Sequence, residues 1–421
     1  MKSKRNHNIY QYSFSNKSNN VYIACSYLEH SILSKPNQFM KKLILLLLFS
    51  VSVFSQKTVI AFDSQVLGES REITIGLPPS FEKNPNKKYP ILVLLDGDYL
   101  FEPFYGALNY GAYWDDLPET IIVGISQNKN NERYDDCNYD EADGVPSGKG
   151  AKFFEFIGAE LLPYIEKKYP VAPFRIIAGH DMTAGFLNFF LYKDNPIFNA
   201  YISLSPELAP DMENRIPEQL SKLKQPIFYY QSNGDGDVKK LQTAIKQLDS
   251  NIKQVTNPLL NYKFDNFKGA SHYSLVLYSI PNALYQFFDT YKPISSTEYS
   301  EKIVILQSGY VDYLTNKYDV LSKNLGLKIP IRVNDFKAIE AAILKNKAYS
   351  ELDKLAEIAN KNYPKSMLAD YELGLMYEKT GDMKKAAKRY QTASQLEEIG
   401  DLTKNMMMEK YDDMISQTPK K

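Results

Sequence analysis

Cysteine is the scarcest reactive residue in this chain, with Cys25 and Cys137 the only two among 421 residues. If translation begins at Met40, Cys137 stands alone, which excludes an intramolecular disulfide and a metal site built on cysteines. Histidine is nearly as rare at four, and only His180 and His272 follow Met40. Tryptophan occurs once, as Trp114, and neither sign of charge is in excess, since fifty basic residues balance fifty acidic ones. That balance gives no pull toward nucleic acid or an anionic membrane surface. The apolar run Leu43 to Phe54 is about twelve residues, short of the roughly twenty that span a bilayer, so no transmembrane segment is expected in the mature chain.

What is present is a globular composition, 44% hydrophobic and 24% charged, with room for two or three domains. Tyrosine is abundant at 32 but scattered, and carries no assigned function. Met40-Lys41-Lys42, the apolar run and then Ser55-Gln56 have the three parts of a secretory signal, with a cut expected after Ser55. The alternative is an uncleaved cytoplasmic extension with a signal anchor. No cysteine follows the run, which argues against a lipid anchor. Residues 1–39 are expected to be an upstream extension, 40–55 the signal, and the mature protein periplasmic or secreted.

From residue 56 to about 292 the pattern is α/β. Arg71 to Leu77 alternates like a half-buried strand, while Ile91 to Leu95 and Thr120 to Ile125 are unbroken apolar runs suited to central strands covered on both faces. Gly150 to Tyr169 is an amphipathic helix. Ala200 to Leu204, Pro226 to Tyr230 and Tyr262 to Phe267 read as further strands, and Lys239 to Leu248 and Leu275 to Phe288 as helices. The alternation predicts a mostly parallel sheet flanked by helices, with the ligand site beyond the carboxyl ends of the strands. From 293 to 421 only helices are expected. Leu373, Gly374, Tyr377, Gly381, Ala386, Tyr390 and Ala393 have tetratricopeptide spacing, whereas the preceding stretch Asp335 to Tyr363 matches poorly. One clear repeat is too little for an open solenoid, so docking against the first domain is expected.

The stretch Phe174 to Leu191 reads strand, sharp turn, helix. That is the geometry of a nucleophile elbow, G-x-S-x-G. Its five positions here are Gly179, His180, Asp181, Met182 and Thr183. The serine position holds an aspartate, which leaves Asp181 open as a nucleophile, a relic or a structural carboxylate.

From about Ser64 to Phe288 the chain resembles the esterase family of α/β-hydrolases that includes esterase D and the enterobactin esterases. The resemblance rests on Leu67 to Arg71, Tyr89 to Asp98, Ile122 to Ile125 with a following Arg133, Phe153 to Tyr169, the elbow, and Gly269 to Ser274. Members with tetratricopeptide-like C-terminal helices exist, so it extends over nearly the whole mature chain. It implies the α/β-hydrolase fold and a triad in the chain order nucleophile, acid, histidine. No cofactor or metal cluster is visible in the sequence. His272 matches the histidine and Asp235 or Asp237 the acid, either of which is equally a turn residue. Oxyanion donors would be the backbone N–H of Met182 and one near Asp98 or Tyr99. His180 is expected to be structural and to face away from the site.

Asp181 breaks the family mechanism, because a carboxylate attacking an ester carbonyl would form an anhydride, higher in energy than the ester. Carboxylate nucleophiles in dehalogenases and epoxide hydrolases attack saturated carbon instead. A third reading is electrostatic: Asp181 at a helix N-terminus, facing the oxyanion-hole N–H groups, as a built-in product mimic. Thr183, where close helix–strand packing usually wants glycine, points the same way. The leading expectation is a degenerate esterase that binds a small ester-like ligand or an envelope protein. The alternative is an active hydrolase using Asp181 and His272, or water activated by His272.

Overall fold

The computed structural model of the protein describes residues 57–418, so the upstream extension and the signal segment lie outside the described residues. Eight strands form one sheet: β1 (Lys57–Ser64), β2 (Glu69–Gly76), β3 (Tyr89–Leu94), β4 (Ile121–Ile125), β5 (Val171–His180), β6 (Ala200–Leu204), β7 (Ile227–Gly236) and β8 (Leu260–Ser271). Their order is β1-β2-β4-β3-β5-β6-β7-β8, with β2 antiparallel to both its neighbours and every other pair parallel. The unbroken apolar runs of β3 and β4 are explained by burial on both faces. Along β3, Ile91 and Val93 enter one apolar core while Leu92 and Leu94 enter the other.

Helix α1 (Gly97–Tyr113) follows β3, and α2 (Gly148–Glu155) follows β4 and continues through a π-turn (Phe156–Leu161) into Leu162–Lys168. The sequence pattern anticipated one regular helix here. Helix α3 (Met182–Phe186) begins right after the elbow, and instead of running on it tightens into a 3-10 segment (Leu187–Tyr192) that buries Phe189 and Phe190. Helices α4 (Met212–Ser221), α5 (Lys239–Ile252) and α6 (Leu275–Phe287) complete the α/β part.

Beyond it come α7 (Tyr310–Leu325), α8 (Val333–Lys345), α9 (Glu351–Asn362), α10 (Leu368–Thr380), α11 (Met383–Ala393) and α12 (Lys404–Ser416). They share a core of their own, but α7 belongs to two cores. Its Tyr310, Val311, Leu314 and Tyr318 pack with the later helices, while Leu321 and Leu325 pack into the sheet core with Phe174 and Phe288. Arg332, just before α8, donates through Nη2 to Asp115 Oδ1 at 3.0 Å and lies over the Tyr291 ring at 4.5 Å. Packing therefore runs without a break across residue 292. No described helix is long and apolar enough to cross a membrane.

Candidate functional site

The elbow is built by backbone first. Asp181 sits at φ 62° and ψ −119°, a conformation that costs a non-glycine residue about 1–3 kcal/mol and persists only when its surroundings hold it. They do: Asp181 N–H donates to Leu204 O at 2.9 Å, and Asp181 O accepts from Gly185 N and Glu207 N, each at 3.0 Å. Gly179 is required because a Cβ there would come within 2.8 Å of the Thr183 backbone. The close approach of strand and helix is thus kept, although Thr183 stands where glycine is usual.

The side chain so presented meets a histidine. Asp181 Oδ1 is 3.9 Å from His272 Nε2, longer than a hydrogen bond. His272 Nδ1 donates to Asp237 Oδ1 at 2.7 Å, so Nε2 is the ring nitrogen that faces Asp181. Asp237 is held in turn by Val238 N–H at 2.7 Å and by the Ser205 hydroxyl, which also lies 3.2 Å from His272 Nδ1. Asp237, not Asp235, is therefore the carboxylate beside His272. Asp235 instead accepts from Gly269 N–H at 2.5 Å, tying together the carboxyl ends of the parallel strands β7 and β8, so it is removed from the candidate set.

A guanidinium takes the other side of Asp181. Arg133, on the short helix Glu132–Asp136, donates through Nη1 to Asp181 Oδ2 at 3.3 Å, through Nη2 to His180 O at 2.7 Å and through Nε to Asp96 Oδ1 at 2.8 Å. Asp181 thus faces Arg133 and His272, where the sequence suggested the amides of an oxyanion hole. Asp96 is buried at the end of β3, accepting also from Thr183 Oγ1 at 2.6 Å and from Tyr99 OH at 3.0 Å. Burial raises its pKa despite Arg133 and these donors. Thr183 is accordingly a donor to a buried carboxylate, a role no glycine could fill.

His180 does not face away, as had been expected from its place beside the nucleophile position. Its ring is 4.5 Å from that of His272, its Nε2 donates to His272 O at 3.0 Å, and its Nδ1 is 3.0 Å from Tyr99 OH. A carbonyl can only accept, so Nε2 carries the proton. Burial, then the neighbouring His272, lowers its pKa to about 4, so it is neutral near pH 7 and serves as a prop beneath His272.

Of the expected oxyanion donors, Met182 N–H lies at the first turn of α3, where no helical acceptor is available. Tyr99 is corrected: its N–H donates to Asp96 O at 3.2 Å, and its hydroxyl, 3.0 Å from both Asp96 Oδ2 and His180 Nδ1, has one proton to give to one of the two. The Asp98 carboxylate turns to the loop after β4, accepting from Ser126 Oγ at 2.6 Å and Gln127 N at 2.8 Å. Burial works against its charge, but these donors hold its pKa below the usual range. Sequence reasoning missed Arg133 as a partner of Asp181, and missed Ser205 altogether. The signal for Ser205 is slight, a single hydroxyl after the apolar run of β6, and its φ of 46° is visible only in the fold. No cluster of three or more metal-ligating side chains occurs among the described residues.

The family model described as "Putative esterase" matches residues 64–270. The chain belongs to the esterase family. Its sheet order and elbow are those of an α/β-hydrolase fold, followed by a helical region. It is similar to an uncharacterised protein from Capnocytophaga ochracea DSM 7271, at 30% identity and a TM-score of 0.79, over 86% of this chain and 100% of that one. It is similar in fold to an IroE-like serine hydrolase from Shewanella oneidensis, at 18% identity and a TM-score of 0.56, over 73% of this chain and 99% of that one. No curated protein matches it in sequence.

Proposed function

We propose that this is an exported esterase-family protein that has lost ordinary serine-esterase turnover and acts by binding, through a pocket retained around His272. The observation that carries it is the side chain at the elbow: a carboxylate, 3.3 Å from Arg133 Nη1, stands where a hydroxyl would attack. It has no proton to give His272, and attack through it on an ester would lead uphill to an anhydride. Its charge is matched by a guanidinium, which lowers its nucleophilicity further. Loss of such a nucleophile typically lowers turnover about a millionfold. In this reading the protein works in the periplasm or outside the cell, on a small ester-like ligand or an envelope partner. The helices from 293 onward form a tetratricopeptide-like layer docked on the sheet, with Gly374 packed so closely on Tyr390 that a Cβ would lie 2.6 Å from the ring.

One observation favours the alternative of an active hydrolase: the Asp237–His272 pair is fully assembled, so His272 could activate water. Hydrolysis of a short-chain p-nitrophenyl ester separates the two. The binding reading expects wild type to be silent and Asp181→Ser to gain activity that Asp181→Ser/His272→Ala lacks. Turnover by wild type that is abolished in Asp181→Ala would reverse the conclusion and make Asp181 catalytic.

A further inference from the structure

Two neighbouring helices of the α/β part are uncharged along most of their length. From Pro103 in α1 to Trp114 just beyond it, and from Leu275 to Phe287 along α6, there is no lysine, arginine, aspartate or glutamate, in a chain that is 24% charged. Both send their inner faces into the same core, through Leu100, Phe104 and Leu108 of the first and Leu275, Ile280 and Ala283 of the second. Their outer faces are bare: Tyr110, Tyr113, Trp114, Leu277 and Tyr278 are each between 56% and 79% exposed. A helix that is apolar on every side belongs in an interior, whereas a surface helix carries charge on its outer face. At about 150–250 Å² for a whole aromatic side chain, these five offer roughly 700 Å² between them. That exceeds the ~300–600 Å² of a monomer's usual largest apolar patch and approaches the ~800 Å² that each partner gives to a standard stable interface.

Gly106 points to what covers the face. It lies exposed in the middle of α1, where glycine destabilises a helix relative to alanine. The fold of the single chain does not call for it, since among the described residues a Cβ there would meet nothing within 4 Å. Gly111 of the same helix differs, because a Cβ there would lie 2.4 Å from Leu117. What Gly106 permits is a close approach from outside. Around it Tyr99, Pro103, Tyr110 and Tyr113 follow the three-and-four spacing that forms one stripe along a helix.

We infer that this face docks a second copy of the chain, with α1 crossing α1 antiparallel about Gly106. The stripe is complementary to itself. Reversed, it sets Gly106 against Gly106, Tyr110 on Pro103 and Tyr113 on Tyr99, and the two-fold axis repeats each contact. The α6 stripe of Tyr278, Pro281 and Tyr285 flanks the crossing. A bilayer is a poorer match, because neither helix carries the basic residues with which an interfacial helix meets lipid headgroups. Tyr99 packs edge-on to the His180 ring, so the second copy stands at the rim of the elbow. The inference goes beyond the binding reading and does not depend on it.

Sedimentation velocity of the full-length chain tests it. Wild type is expected to sediment as a dimer at micromolar concentration. Gly106→Glu is expected to sediment as a monomer, its dissociation constant raised at least about hundredfold by two carboxylates brought together at the axis. The variant keeps its far-ultraviolet circular dichroism, because glutamate is a better helix former than glycine and meets open space in the single chain. Gly106→Cys, in a Cys25→Ser background with Cys137 buried, is expected to form a disulfide-linked dimer on mild oxidation. Tyr113→Cys, seven residues from the axis and about 21 Å from its own copy, is expected not to link. A monomeric wild type, including one that floats with phosphatidylcholine vesicles, would overturn the inference. So would a dimer that survives Gly106→Glu, or linkage through Tyr113→Cys in place of Gly106→Cys.

Discussion

At the residue scale the geometry says which neighbours of Asp181 and His272 matter. Asp235 and Asp237 were indistinguishable in the sequence because both sit in the same Asn-Gly-Asp-Gly-Asp turn. Only the fold turns one toward His272 Nδ1 and the other toward Gly269 N–H. In an Asp181→Ser background, Asp237→Asn is expected to lower the gained esterase rate by about ten-thousandfold, as loss of a triad acid does, and Asp235→Asn by less than about tenfold. A steady-state assay on the two double variants checks this, and equal losses would return Asp235 to the site. Arg133 was legible only as a piece of the family resemblance, since nothing in a linear sequence shows that a guanidinium after β4 reaches a carboxylate after β5.

At the element scale the strands were readable because full burial demands unbroken apolar runs, and the elbow because a strand, a glycine and a helix must follow in order. The helical region held something the spacing did not announce. Glu372 on α10 is fully buried with neither carboxylate oxygen hydrogen-bonded, next to Glu340 of α8, which accepts from Tyr371 OH at 3.2 Å. Burial, then the charge of Glu340, holds the Glu372 pKa well above its ordinary 4.5. Tyr371 lies beside it on α10, and Lys337, Asp401 and Lys410 surround Glu340 from α8, the loop before α12, and α12. The folded state therefore keeps a proton that the unfolded chain gives up. Stability from this group is fully present below about pH 4.5 and falls as pH rises above it, by at most about 1.4 kcal/mol per pH unit. Wild type is expected to lose melting temperature as pH rises above about 4.5, and Glu372→Gln, which cannot ionise, to flatten that fall. Parallel slopes for the two proteins would show that Glu372 is ionised in the fold.

At the scale of the whole molecule, α7 ties the helical region to the sheet. Leu325 is buried in the sheet core although it lies well past the expected boundary at 292, and Gly326, at φ 63°, lets the chain turn against Pro173. Leu325→Ala is expected to destabilise the α/β part by about 2–5 kcal/mol, as core truncations do. Denaturant unfolding followed by aromatic fluorescence and by helical circular dichroism should move together in that variant. A chain ending at Lys292 would bare the apolar surface that Leu321 and Leu325 cover, and is expected in the insoluble fraction. A soluble, cooperatively unfolding 57–292 fragment would contradict this.

The sequence by itself determined the α/β-hydrolase layout, the elbow at Asp181 and the two histidines able to serve near it, because periodicity, turn residues and scarcity are local properties of the chain. Tertiary structure decided what the site contains: Asp237 over Asp235, Arg133 against Asp181, His180 beneath His272 and Ser205 beside the acid. These depend on register between strands that are distant in sequence, and on rotamers chosen by packing. Such choices are made only when the sheet closes.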